Sequence, residues 1–254
     1  MKRQPVVERG RGLPLILIPG IQGRWEWMEP LVSALAEHRR VLTFSLNEAS
    51  GADLFDDWAE RIDRLLEHAD ADRAPVVGIS FGGIIAARYA ARRPQAVERL
   101  ILVSTPGPDW RLQGFSAACV RHPWLYFPLF AARGALRLAP ETLAALPSWP
   151  QRGAFALSYG LRTLRYPASP AAMAAWVRTW MATSMAAEIG RISTPTLLIT
   201  GEPDLDRVVP VASTLEYLAL IPGAQHRTLG RTGHLGILTR TTEFARVVCD
   251  FIKE

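Results

Sequence analysis

Several features are scarce in this chain, and each scarcity narrows its class. Cysteine occurs twice in 254 residues, at Cys119 and Cys249, too seldom for a disulfide framework or a thiolate metal site. Free thiols fit a reducing compartment, so a cytoplasmic protein is expected. Long apolar runs are missing. The longest, "LPLILIP" and "PWLYFPLFAA", fall far short of the ~20 residues that span a bilayer, so no membrane span is expected. The opening "MKRQPVVERGRG" lacks the apolar core of a secretory signal. Runs of like charge are missing too. A net charge of +5 raises the question of nucleic acid, but the basic residues are nearly all arginines, scattered singly or in pairs such as Arg39–Arg40 and Arg92–Arg93. No basic face interleaved with stacking aromatics results, so a solvated surface and no nucleic-acid partner are expected.

What is present is a globular composition, 49% hydrophobic and 21% charged, which argues against disorder. No repeat or low-complexity linker divides the chain, and its length suits one α/β domain. Organisation comes from alternation. "PLILIP" reads as a buried strand, followed by a helix from Glu26 to Glu37. "VLTFSL" is a strand, and "DLFDDWAERIDRLLEH" an amphipathic helix with Leu54, Trp58, Ile62, Leu65 and Leu66 on one face. "APVVGIS", "GGIIAARYAARR" and "ERLILVST" continue as strand, helix and strand. After a long interruption come the strand "TPTLLIT", a helix over Val211–Leu220, a short strand near "HRTLG" and a last helix over Thr241–Ile252. Near-continuous apolar strands alternating with helices predict an α/β fold with a mostly parallel central sheet and helices on both faces. The interruption, residues 106–192, is rich in Ala, Pro and Trp (Trp110, Trp124, Trp149, Trp176, Trp180). It is expected to be a helical insertion over the carboxyl ends of the sheet, its aromatics mostly forming its own core, with one or two lining a pocket.

Chemistry enters at "VVGISFGGIIAARYA", residues 76–90. Gly78, Ser80 and Gly82 form G-x-S-x-G, with Gly83 next, between a strand and a helix. In that setting the serine occupies a strained turn that lifts its hydroxyl above the sheet, and the glycines admit neighbouring chain too close for a Cβ. The helix that follows favours developing negative charge at its N-terminus. The plainer alternative is a serine helix cap with glycines for packing.

The elbow, its strand–helix context and the place of the insertion resemble the α/β-hydrolase family over most of the chain, with residues 1–105 and 193–254 as core and 106–192 as a cap. The family's first hairpin is abbreviated here to the region of Val6 and Val7. The resemblance implies a triad in the chain order nucleophile, acid, histidine. His234 in "GRTGHLGI" matches the family's loop histidine, whereas His38, His68, His122 and His226 stand elsewhere. The acid belongs in "LLITGEPDLDRVVP", where two extra residues leave Asp204 and Asp206 as candidates. Pro203-Asp204 reads as the middle of a turn, so Asp206 is the choice, and Asp109 stands third.

The resemblance also implies an oxyanion hole from the backbone N–H groups of Phe81 and Ile21. Pro19 replaces the histidine that usually opens the loop "IPGIQG", so other packing must hold that turn. Gln22 faces substrate or solvent with equal claim, and Trp25 and Trp27 are expected in the core. No metal or organic cofactor is implied. The expected activity is hydrolysis of a small-molecule ester, thioester or lactone-type acyl substrate through an acyl-enzyme. Carbon–carbon bond hydrolysis or perhydrolysis by the same triad, and a non-catalytic binding protein, are the alternatives. Substrate identity and oligomeric state are not legible.

Overall fold

A computed structural model describes residues 6–46 and 54–253; Asp53, where the second helix is expected to begin, lies outside them. In chain order the elements are β1 (Val7–Arg9), β2 (Pro14–Ile18), a 3-10 turn (Trp25–Met28), α1 (Glu29–Ala36), β3 (Arg40–Thr43), α2 (Leu54–Ala69), β4 (Ala74–Ile79), α3 (Phe81–Arg92) and β5 (Val97–Val103). Five helices follow: α4 (Gly114–Arg121), α5 (Pro123–Ala145), α6 (Trp149–Arg165), α7 (Pro170–Met181) and α8 (Ala186–Ile189). The chain closes with β6 (Thr196–Thr200), α9 (Val211–Leu220), β7 (Gln225–Thr228), α10 (Gly236–Thr239) and α11 (Thr241–Lys253).

The seven strands form one sheet in the order β1-β3-β2-β4-β5-β6-β7. Only β1 runs antiparallel, with Val7 opposite Thr43, and it occupies the place of the abbreviated hairpin. Side chains alternate along each parallel strand, so the sheet has two apolar faces. Ile16, Ile18, Leu42, Val76, Leu100, Leu102 and Leu198 pack beneath α2, α3 and α9. Leu15, Leu17, Val41, Val77, Ile79, Ile101, Val103, Leu197 and Ile199 pack beneath α1 and α11. Each such residue contributes roughly 1.5–3 kcal/mol by leaving water. On α2, Phe55 is buried with Trp58, Ile62, Leu65 and Leu66, while Leu54 is only half-buried.

The expected boundaries shift for local reasons. The helix read from Glu26 is split: Trp25–Met28 is 3-10, and the α-helix starts where Pro30 sits in its first turn, a position proline favours. The strand read through Leu46 leaves the sheet after Thr43, and the Leu46 N–H donates instead to Gly23 O at 2.6 Å. The strand read through Thr105 stops at Val103, where Ser104 takes a positive φ of 41°.

The interrupting segment is helical, but its aromatics do not form a separate core. Trp124 and Trp149 are 69% and 76% exposed. Trp176 and Trp180 from α7 instead join the main core, both within ring-contact distance of Phe81. The segment is thereby packed onto the sheet layer through the residue that follows Ser80. Among the described residues no helix is long and apolar enough to cross a membrane.

Candidate active site

Ser80 joins β4 to α3 at φ 52°, ψ −120°, a region that residues other than glycine rarely enter. Its flanks explain how the chain turns so sharply. A Cβ on Gly78 would stand 2.5 Å from Gly82 O, and one on Gly82 would stand 2.4 Å from Pro19 O. The Ser80 N–H donates to Val103 O at 2.7 Å, pinning the turn to β5. The hydroxyl does not cap α3, which removes the plainer alternative for this serine. It stands 3.1 Å from His234 Nε2.

His234 hangs in the loop between β7 and α10. Its Nδ1 faces Asp206 Oδ2 at 3.2 Å. Asp206 comes from the loop after β6, and its other oxygen, Oδ1, accepts the N–H groups of Val208 (3.1 Å) and Val209 (3.0 Å). Those two bonds fix the carboxylate and aim Oδ2 at the imidazole. The loops meet backbone to backbone, since a Cβ on Gly233 would lie 2.5 Å from the Leu205 carbonyl carbon. Glu202 ties them as well: its N–H donates to Thr232 O at 2.8 Å, and its Oε1 accepts the Arg231 N–H at 2.7 Å. Glu202 O accepts from both Leu205 and Asp206, which leaves Pro203 and Asp204 at the middle of a turn, with Asp204 exposed. Asp109 is exposed too. The two extra residues are thus absorbed in the turn.

Burial of the imidazole disfavours its cation, but the adjacent Asp206 carboxylate outweighs burial and raises the His234 pKa above its ordinary value. Burial likewise opposes ionisation of Asp206. The His234 charge and hydrogen bond, with the Val209 and Val208 N–H groups, prevail and hold Asp206 below the usual carboxylate range. A base that gains its proton next to a fixed carboxylate is what removing a hydroxyl proton requires.

Ser80 and Phe81 lie in a pocket of about 160 Å³ whose wall also includes Ile21, Trp110, Leu112, Phe127, Phe130, Val177 and Trp180. Trp110 and Trp180 are the two insertion tryptophans in this wall. Ile21 and Phe81 line this pocket together with Ser80, and neither backbone N–H has an acceptor among the described residues. Where Pro19 stands, the turn is held by Gly23 N–H to Gly20 O (2.9 Å) and by Trp176, whose ring edge would lie 2.5 Å from a Cβ on Gly23. Gln22 is half-buried and outside the pocket wall. Trp27 and Trp25 are partly buried. Trp27 Nε1 donates to Tyr166 O at 2.8 Å, and Trp25 packs on the α1–α11 core. Cys119 lines the pocket as a free thiol, and Cys249 is buried. His226 Nε2 pairs with Thr200 Oγ1, and His68 with Glu8.

One residue went unnoticed in the sequence. Glu141 on α5 is fully buried and accepts the backbone N–H groups of Gly233 and Leu235, the neighbours of His234. A signal existed: it is the lone acidic residue between Asp109 and Glu188.

Comparison with known proteins agrees with this architecture. A family model described as alpha/beta hydrolase fold matches residues 14–241. The chain is 28% identical to the 2-hydroxymuconate semialdehyde hydrolase of Pseudomonas sp. (strain CF600), across 97% of this chain and 89% of that protein. It is 27% identical to the 2-hydroxy-6-oxo-2,4-heptadienoate hydrolase of Pseudomonas putida, across 96% and 90%. Among solved structures, the enol-lactonase from Burkholderia xenovorans LB400 superposes with a TM-score of 0.75 at 20% identity, across 98% and 96%.

Proposed function

Starting from the fact that this chain belongs to the alpha/beta hydrolase fold family, we propose that it is a serine hydrolase of carboxylic ester, thioester or lactone-type substrates, acting through Ser80, His234 and Asp206. The observation that carries this is the pairing of Ser80 Oγ with His234 Nε2 at 3.1 Å in an apolar pocket. Ser80 Oγ attacks the substrate carbonyl carbon while its proton passes to Nε2. The carbonyl oxygen, now negative, is met by the N–H groups of Ile21 and Phe81. The bond to the leaving group breaks, and Nε2 returns the proton to it. Water then gives a proton to Nε2 and attacks the acyl-Ser80 ester, which releases the acid and restores the hydroxyl. Asp206 keeps the imidazole in the tautomer with its proton on Nδ1 and favours the transient cation. Residues 106–192 serve as a cap over the core formed by 1–105 and 193–254. An apolar acyl or alkyl group fills the wall they supply.

A second reading, carbon–carbon bond hydrolysis, is favoured by the two Pseudomonas relatives and by one pocket residue. Arg137 is the single charged side chain in the pocket wall, and no carboxylate pairs with it among the described residues. It suits a substrate ending in a carboxylate, as the name of the heptadienoate hydrolase's substrate indicates.

Intact-mass labelling with a fluorophosphonate tests the serine chemistry on wild type, Ser80→Ala and His234→Ala. One adduct on wild type, lost at Ser80→Ala and strongly slowed at His234→Ala, supports it. A folded wild type that takes no adduct and binds a ligand equally well after Ser80→Ala makes the protein a binder. Turnover of p-nitrophenyl esters and lactones, set against cleavage of an oxo-dienoate, then separates the two hydrolytic readings.

A further inference from the structure

Helix α5 runs for 23 residues and buries only Glu141 and Ala145. A carboxylate with 0% exposure on such a helix needs compensation, because burying an unpaired charge is costly. Its compensation lies on the histidine loop. Glu141 Oε2 accepts the Gly233 N–H at 3.0 Å and the Leu235 N–H at 2.7 Å, the amide groups of the residues before and after His234. Oε1 is buried and has no partner among the described residues. The end of α5 holds the same loop a second time, through Arg231 Nε donating to Ala144 O at 3.2 Å.

We infer that Glu141 is a positioning residue for His234: by gripping the N–H on either side, it sets the height and rotation of the imidazole over Ser80. This rests on the serine-hydrolase reading above. The insertion then contributes more than a pocket wall, since one of its helices holds the backbone that carries the base. An apolar residue at position 141 would fill the space but leave two buried N–H groups unpaired, which is costly. The titratable groups facing Glu141 are His234 and Asp206 from the two loops and Tyr159 from α6. When ionised, Glu141 acts in the same direction as Asp206, favouring the imidazolium.

Two variants separate positioning from packing. Glu141→Gln keeps an acceptor oxygen and the shape but carries no charge, and Glu141→Leu keeps neither acceptor nor charge. Each is compared with wild type by the rate of fluorophosphonate labelling and by NMR titration of the His234 imidazole. Glu141→Leu is expected to label at least ~100-fold more slowly, the scale of a ~1 Å misplacement, and Glu141→Gln to recover most of that rate. In Glu141→Gln the His234 pKa should fall, because the negative charge that an ionised Glu141 places beside it is gone. Should Glu141→Leu fail to fold, the imidazole titration of Glu141→Gln decides alone. Wild-type labelling rates in both variants, with an unchanged titration, would overturn the inference. Absence of labelling in wild type would instead remove the serine-hydrolase reading. The titration, which needs no turnover, would still judge the hold on His234.

Discussion

The burial of Glu141 makes a quantitative claim about stability and pH. Burial in the interface between α5 and the histidine loop lifts its pKa from an ordinary 4.5 to about 7, against the opposing pull of the Leu235 N–H and of His234. Between those two values the folded protein keeps a proton that the unfolded chain has released. Stability therefore falls as pH rises through this window, at about 1.4 kcal/mol per pH unit. Across the interval from 4.5 to about 7 the loss amounts to about 3 kcal/mol, and it is complete above the folded pKa. Glutamine at this position does not titrate. Urea unfolding of wild type and Glu141→Gln at half-unit steps from pH 4.5 to 8 should give a stability difference that moves about 3 kcal/mol in favour of the variant and then levels off. His234, whose own pKa is raised, loses stabilisation in the same direction in both proteins and largely cancels in the difference. A difference constant to within ~0.5 kcal/mol across the range would refute the argument, because it would mean that Glu141 titrates alike in the folded and unfolded chains.

Three further outcomes follow from the site. Replacing Ser80 by glycine removes the side chain that the φ of 52° and ψ of −120° penalise, so Ser80→Gly should gain about 1 kcal/mol in urea unfolding while losing all labelling; an unstabilised variant would show that the turn holds no strain. Asp206→Asn should cut esterase kcat by about 10⁴-fold through the wrong imidazole tautomer, whereas Asp204→Asn, in its exposed turn, should stay within about twofold of wild type; the reverse order would exchange their roles. The raised His234 pKa places the acid limb of the kcat/KM profile above the ordinary histidine value, with activity present above it and lost as pH falls through it; a limb below the ordinary value would contradict the Asp206–His234 pairing.

Much of this architecture was legible because it is written in local patterns. The apolar strands alternating with helices require a parallel sheet covered on both faces, and the helix over Val211–Leu220 matches its structural bounds. The glycines around Ser80 announced a close approach of backbone, and Gly78 and Gly82 stand where a Cβ would collide with Gly82 O and Pro19 O. His234 is legible through the resemblance of its glycine-rich loop, after β7, to the family's histidine loop and through the chain order that resemblance implies. The acid was half-legible. Its loop is plain, but the preference for Asp206 over Asp204 rests on turn chemistry at Pro203-Asp204 and on the spacing to "VVP", and only the folded loop shows Asp206 Oδ2 at 3.2 Å from Nδ1.

Other features are tertiary by nature. The insertion tryptophans divide between solvent, core and pocket because α7 packs onto Phe81 while the outer sides of α5 and α6 stay open, and no periodicity within the insertion encodes that choice. Glu141 is the clearest instance. Sequence alone fixed a carboxylate in an apolar, arginine-bearing stretch, but its partners lie 92 and 94 positions away. They are backbone N–H groups, which every residue except proline carries. A partner of that kind leaves no mark in the letters of a chain, and only the fold that carries α5 to the histidine loop selects it.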